Sequence, residues 1–180
     1  HRIILDPKNP NVIYVAAIGS PWGEHPDRGV FKSTDGGESW KKILYSNPKS
    51  GAADLVMDPK NPNKLIAALW EHKRDPWFFN SGGKGSGLYI TVDGGKNWTK
   101  KTSKNGLPDG DLGRIGLAIS HNKPNIIYAL IESKKNALYK SIDGGDNWVK
   151  INEKSDIGNR PFYYSDIFVD PQNENRLYSV

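Results

Sequence analysis

The chain has 180 residues, no cysteine, and 25 Lys and Arg against 20 Asp and Glu. That length carries one ordinary domain with a core, and the missing cysteine excludes disulfides and thiolate metal sites while leaving the compartment open. Aromatic richness excludes disorder, no run is apolar enough to span a membrane as a helix, and the lysine excess falls in singles and pairs (Lys41-Lys42, Lys100-Lys101, Lys134-Lys135), a solvated pattern that excludes nucleic acid as a partner.

In chain order the elements repeat. Strands are expected at 2–6 and 12–18, separated by Asp6-Pro-Lys-Asn-Pro-Asn11, then at 29–34 and 39–45. The second round runs 53–57, 64–71, 87–92 and 97–103, with Asp58-Pro-Lys-Asn-Pro-Asn63 in its first turn. The third runs 114–119, 126–132, 137–142 and 147–152, with His121-Asn-Lys-Pro-Asn125 in that place. A fourth begins at 163–169, turns at Asp170-Pro-Gln-Asn-Glu-Asn175 and ends within its second strand at Val180. The first strand of each round is continuously apolar, which predicts burial on both faces.

Between the third and fourth strands one phrase recurs: Ser33-Thr-Asp-Gly-Gly-Glu-Ser-Trp40, Thr91-Val-Asp-Gly-Gly-Lys-Asn-Trp98 and Ser141-Ile-Asp-Gly-Gly-Asp-Asn-Trp148. The glycine pairs, ending in Gly37, Gly95 and Gly145, supply the positive φ of a tight turn. Asp35, Asp93 and Asp143 are placed to accept the turn's own N–H groups, with Ser33, Thr91 and Ser141 adding a second bond. Trp40, Trp98 and Trp148 offer an apolar face to neighbouring structure. Repetition of the whole unit makes these carboxylates structural rather than catalytic or calcium-binding.

Antiparallel four-stranded units repeating every fifty to sixty residues predict an all-β fold, a β-propeller of four-stranded blades at 1–46, 51–103, 113–154 and 163–180, the last incomplete. About three and a half blades do not close a ring. The remainder, of an expected seven, is assigned to flanking sequence, in keeping with a start at His1 rather than Met.

The two stereotyped turns emerge at one end of such blades and the variable connections at the other, where function tends to sit. Trp22, Trp77, Phe78, Phe79, Tyr163 and Tyr164 therefore gather near one rim with Glu24, His25, Arg28, Arg74, Arg114 and Arg160. Trp22, His25, Arg74, Trp77, Arg114, Arg160, Tyr163 and Tyr164 are the candidate ligand-binding residues, suited to sugar rings or an extended peptide; the alternative is that the aromatics fold inward and pin their loops, the reading favoured for Phe78 and Phe79. Asp54 and Asp166 hold one place in the first strands of their rounds, where Arg2 and Gly116 stand in the others. They are the candidate catalytic pair for glycoside hydrolysis, set against a structural role bonded to backbone or paired with Arg114 or Arg160, which is preferred. The four histidines show no metal-ligand spacing, Ser81-Gly-Gly-Lys-Gly-Ser86 lacks the frame of a phosphate loop, and no metal or cofactor is expected.

The repeated phrase resembles the Asp-box, or BNR repeat, at every defining position. Propellers of that family include sialidases, xyloglucanase-type glycoside hydrolases, the sortilin-type receptor domain and a photosystem II assembly factor. Arg28-Gly-Val-Phe-Lys-Ser-Thr-Asp-Gly-Gly37, Gly51-Ala-Ala-Asp-Leu-Val-Met-Asp-Pro59, Phe79-Asn-Ser-Gly-Gly83, Gly113-Arg-Ile-Gly116 and Tyr163-Tyr-Ser-Asp-Ile-Phe-Val-Asp-Pro171 are similar to a bacterial group described as sortilin-like or glycosyl-hydrolase-like BNR proteins. The resemblance implies a longer, exported protein acting outside the cytoplasm. It implies no single activity: the sialidase arginine triad and Tyr-Glu pair cannot be assembled from this chain, and the Cys-rich module of sortilin is not in it. Two readings follow, a binding or scaffold propeller for a glycan or protein, and a glycosidase cut through its propeller.

Overall fold

The computed structural model describes every residue except His1, Ser155, Phe162 and Tyr164. Four antiparallel sheets follow one another. The first contains β1 (Arg2–Asp6), β2 (Asn9–Ala17), β3 (Gly29–Ser33) and β4 (Lys41–Leu44) in sequential order. The second contains β5 (Ser50–Asp58), β6 (Asn61–Arg74), β7 (Phe79–Ser81), β8 (Gly87–Thr91) and β9 (Thr99–Lys101), ordered β5-β6-β8-β9 with β7 paired to the far end of β6. The third contains β10 (Ile115–Ile119), β11 (Ile127–Ile131), β12 (Ala137–Ser141) and β13 (Val149–Asn152). The fourth is the pair β14 (Ile167–Asp170) and β15 (Asn173–Ser179). First strands of neighbouring sheets approach one another, β1 to β5, β5 to β10 and β10 to β14, so they form the inner wall of the arc. This is the blade order of a β-propeller.

Alternation along each strand assigns one face to the preceding blade and one to the following. In β11, Ile127, Ala129 and Ile131 join a core with Ile66, Ala68 and Leu88 of the second blade, while Tyr128 and Leu130 join Ile167 of the fourth. Tyr14, Ala16 and Val30 pack on Leu55, Leu65 and Leu69 between the first two blades. The three seams are thus three separate apolar cores, each built by two blades.

The stereotyped turns explain the register. Asp6, Asp58 and Asp170 each accept the N–H two residues on, at 2.8 Å, from Lys8, Lys60 and Gln172. Ser120 takes that place in the third blade, its hydroxyl accepting the Lys123 N–H at 3.2 Å. The two turn types lie side by side at one end: the N–H groups of Gly36, Gly94 and Gly144 donate to the carbonyls of Asn11, Asn63 and Asn125 at 3.0, 2.8 and 2.8 Å.

Four expectations change. β1 is buried on one face only: Ile4 packs on the second blade, whereas Ile3 and Leu5 on the other face are exposed. The last strand of the second blade stops at Lys101, because Thr102 caps a 3-10 turn over Ser103–Asn105. The fourth blade's first strand begins at Ile167 rather than 163. The connection after residue 71 is ordered as a ribbon, with Arg74 opposite Phe79 and His72 opposite Ser81.

Candidate ligand-binding face

The repeated Asp turns close on themselves. Ser33, Thr91 and Ser141 each donate their hydroxyl to Asp35, Asp93 and Asp143 at 2.7 Å, and accept the N–H of Gly37, Gly95 and Gly145 at 2.9, 3.1 and 2.8 Å. The second carboxylate oxygens take Ser39 Oγ, Asn97 Nδ2 and Asn147 Nδ2 at 2.5, 2.7 and 2.9 Å. Bonds from Ser39 and Asn97 hold Asp35 and Asp93 well below the usual carboxylate range, and the Asn147 N–H leads those that pull Asp143 down to about 2. Carboxylates kept ionised and spent on local donors are turn-formers, with no proton to give near neutral pH.

The opposite end gathers the irregular loops. The Arg74 N–H donates to Pro21 O at 2.7 Å, joining the ribbon to the first blade's 19–28 loop. Arg74 Nη1 lies 3.3 Å from Tyr163 Oη, which joins it to the connection before the fourth blade. Arg160 stacks on the same ring, its Cζ 5.6 Å from the centroid. Around this join the aromatics point outward: Trp22, Trp77, Phe78 and Tyr163 are 63, 86, 55 and 56 % exposed. Phe78 was expected to fold inward and does not; Phe79 does, meeting Trp70 edge-on at 5.7 Å. His25 is exposed beside Asp27, whose N–H its Nδ1 accepts at 3.1 Å. Tyr164 lies outside the described residues.

Arg114 is not on this surface. Its side chain is buried, stacks on Trp70 with Cζ 5.8 Å from the ring, and donates to Pro161 O at 3.0 Å and Asp166 Oδ1 at 3.2 Å. Burial pushes its pKa down, and Asp166, Asp54 and Glu132 pull it back. Asp54 is equally engaged: it accepts Arg2 Nε at 2.9 Å, the Leu55 N–H at 2.8 Å and, across the blade seam, the Leu117 N–H at 2.8 Å. Burial pushes the Asp54 carboxyl up, and the Arg2 guanidinium and these two amides oppose the rise. The two acids therefore belong to one cross-blade charge network with Arg2 and Arg114. Gly116 holds the equivalent place in the third blade because a Cβ there would strike the Ser165 carbonyl.

Sequence reasoning placed Arg28 on the rim, but it is fully buried. Its guanidinium donates to Ser20 O, to Gly23 O at 2.9 Å and to Lys49 O at 2.7 Å, and its Nη1 lies 3.4 Å from His72 Nδ1. His72 Nδ1 also lies 3.3 Å from Trp70 O, so it sits between a guanidinium donor and a carbonyl acceptor. His72 stacks on Trp70 at 4.3 Å, and burial lowers its pKa to about 4. Glu132 was also missed; its Oε2 takes Ser81 Oγ at 2.5 Å and the Arg114 N–H at 2.8 Å, tying the second blade to the third. No local signal marks the contacts that join separate segments, from Arg28 to Lys49 and His72 and from Glu132 to Ser81, since those partners lie 21 to 51 residues away.

The BNR/Asp-box repeat family model matches residues 31–42 and 89–100. Comparison with curated proteins returns no match. Among solved structures, a GH74 enzyme of Niastella koreensis is similar over 98% of this chain and 27% of its own, at 19% identity and TM-score 0.67. An ancestral GH74 enzyme is similar over 99% of this chain and 21% of its own, at 20% identity and TM-score 0.63. This chain thus spans about a quarter of the length of those proteins, and likeness at such identity establishes fold and not chemistry. With the turn geometry above, it is a β-propeller segment built on BNR/Asp-box repeats.

Proposed function

We propose that this segment is a non-catalytic binding module that presents its variable-loop face to a glycan, outside the cytoplasm. The supporting observation is the exposure of Trp22, Trp77 and Tyr163 on loops that are themselves bonded together through Arg74. Large exposed rings suit stacking on sugar faces, and with only two side-chain torsions they lose little entropy when covered. The candidate acids favour binding over hydrolysis: Asp54 and Asp166 are each already paired with an arginine. A protein or peptide ligand on the same rim is the other outcome of the test.

The test is retention of the chain on a panel of immobilised polysaccharides and peptides, with Trp77→Ala and Trp22→Ala beside the parent. Glycan retention lost in both variants, with no reducing sugar released by the parent, supports the module. Sugar release that disappears in Asp166→Ala overturns it in favour of a glycosidase. Retention on peptides alone overturns the glycan and leaves a protein-binding propeller.

A further inference from the structure

A cavity of about 460 Å³ opens between the first blade's 19–28 loop and the β6–β7 ribbon, at the root of the arms that carry Trp22 and Trp77. Its wall includes Glu24, Lys49, Glu71, His72, Asn80 and Ser81, with glycine backbone between them and no large apolar side chain. The volume falls in the range of small-ligand sites and exceeds that of a single sugar ring.

The cavity is built rather than incidental. Burying a guanidinium with no carboxylate partner is costly, yet Arg28 is spent on carbonyls from both backbone segments that frame the opening, Ser20–Gly23 on one side and Lys49 on the other. Its Nε has no partner. The floor is equally fixed, by the His72 stack on Trp70 and by Ser81 Oγ, which accepts Trp70 Nε1 at 2.9 Å.

Charge selects the ligand class. Lys49 lies 3.8 Å from Glu24, and Lys73 lies 2.8 Å from Asp75. The Glu71 carboxylate takes the Gly85 N–H at 3.0 Å and Asn47 Nδ2 at 3.4 Å. The two lysines are thus closed by carboxylates, Glu71 by neutral donors and Arg28 by carbonyls, and a charged ligand would have to displace a bond already made to enter. Hydroxyl groups both donate and accept, so they fit between paired charges without displacing them. An apolar peptide anchor finds nothing here to pack on.

We propose that this cavity seats one uncharged pyranose unit, an end or a branch of the glycan whose main run lies over Trp22 and Trp77. The assignment rests on the glycan reading above and adds a pocket and a charge class to it. Selectivity comes from the closed charge pairs, and affinity from the preformed frame that Arg28 holds.

The experiment is NMR titration of the isotopically labelled chain with methyl glucoside, glucuronate and glucosamine in turn. Methyl glucoside is expected to shift the amides of Gly23, Asn80 and Gly82 saturably, with the two charged sugars at least about tenfold weaker. Asn80→Trp, which fills the cavity from an exposed position, is expected to abolish the shifts while leaving the rest of the spectrum in place. Trp77→Ala is expected to leave the shifts intact even though polymer retention is lost, which separates the pocket from the rim. No saturable shift at these amides, a preference for either charged sugar, or shifts that persist in Asn80→Trp overturns the proposal. Polymer retention in the parent without such shifts keeps the rim reading and removes the pocket.

Discussion

Arg2 and Asp54 occupy the same place in consecutive blades, four residues before the turn acids Asp6 and Asp58, and they meet at 2.9 Å across the inner wall. The second oxygen of Asp54 continues to the Leu117 N–H of the third blade, so one carboxylate joins three blades. Replacing it removes the acceptor of a buried amide and the partner of a guanidinium. Asp54→Ala is expected to cost about 2–4 kcal/mol in urea unfolding, with Asp54→Asn recovering part of the loss. A substitution that leaves the unfolding midpoint unchanged would contradict this role.

The hydroxyl of the repeated turn is expected to matter through one buried bond. Ser141 is buried, and its Oγ is the acceptor for the Gly145 N–H. Ser141→Ala leaves that amide unsatisfied, at a cost of about 1–3 kcal/mol, while Ser141→Thr keeps the bond, as Thr91 does in the second blade. Chemical denaturation of the pair of variants reads the difference.

His72 makes stability depend on mildly acidic pH. Its ordinary value is 6.5 and burial lowers it to about 4, so between those values the unfolded chain binds a proton that the folded one refuses. Stability is therefore full above about pH 6.5 and falls as pH drops towards 4, by about 1 kcal/mol per pH unit. His72→Gln removes this slope whatever it does to the plateau. Thermal unfolding across that pH range, parent against variant, is the measurement.

Equivalent tryptophans are expected to give unequal losses. Trp148 is 3 % exposed in the core shared by the second and third blades, with its indole N–H bonded to Gly145 O at 3.0 Å. Trp40 makes the same bond to Gly37 O at 3.0 Å but is 44 % exposed and joins none of the three apolar cores among the described residues. Trp148→Ala is expected to cost about 3–5 kcal/mol, and Trp40→Ala a fraction of that. Equal losses would mean that these indoles act through their turns and not through the seams.

The repeat made the architecture legible before any coordinates. Asp, paired glycines and Trp at fixed spacing encode a turn whose carboxylate bonds are all local, so Asp35, Asp93 and Asp143 behave alike in three different surroundings. Strand alternation sorted the two ends of the blades by connectivity alone, and the turn-to-turn bonds at Asn11, Asn63 and Asn125 follow from it. Long-range partnership decided the rest. Arg28 read as a surface cation in the sequence and Arg114 both as one and as a partner for the acids; Arg28 is buried against His72, 44 residues away, and Arg114 against Asp166, 52 residues away. Phe78 and Phe79 are adjacent and chemically identical, but Phe79 opens the paired strand of the ribbon and meets Trp70 while Phe78, in the turn before it, is exposed. A local pattern fixes what neighbours in sequence can satisfy between themselves. Which charges are cancelled, which rings are covered and where a cavity opens depend on chain segments that only packing brings together.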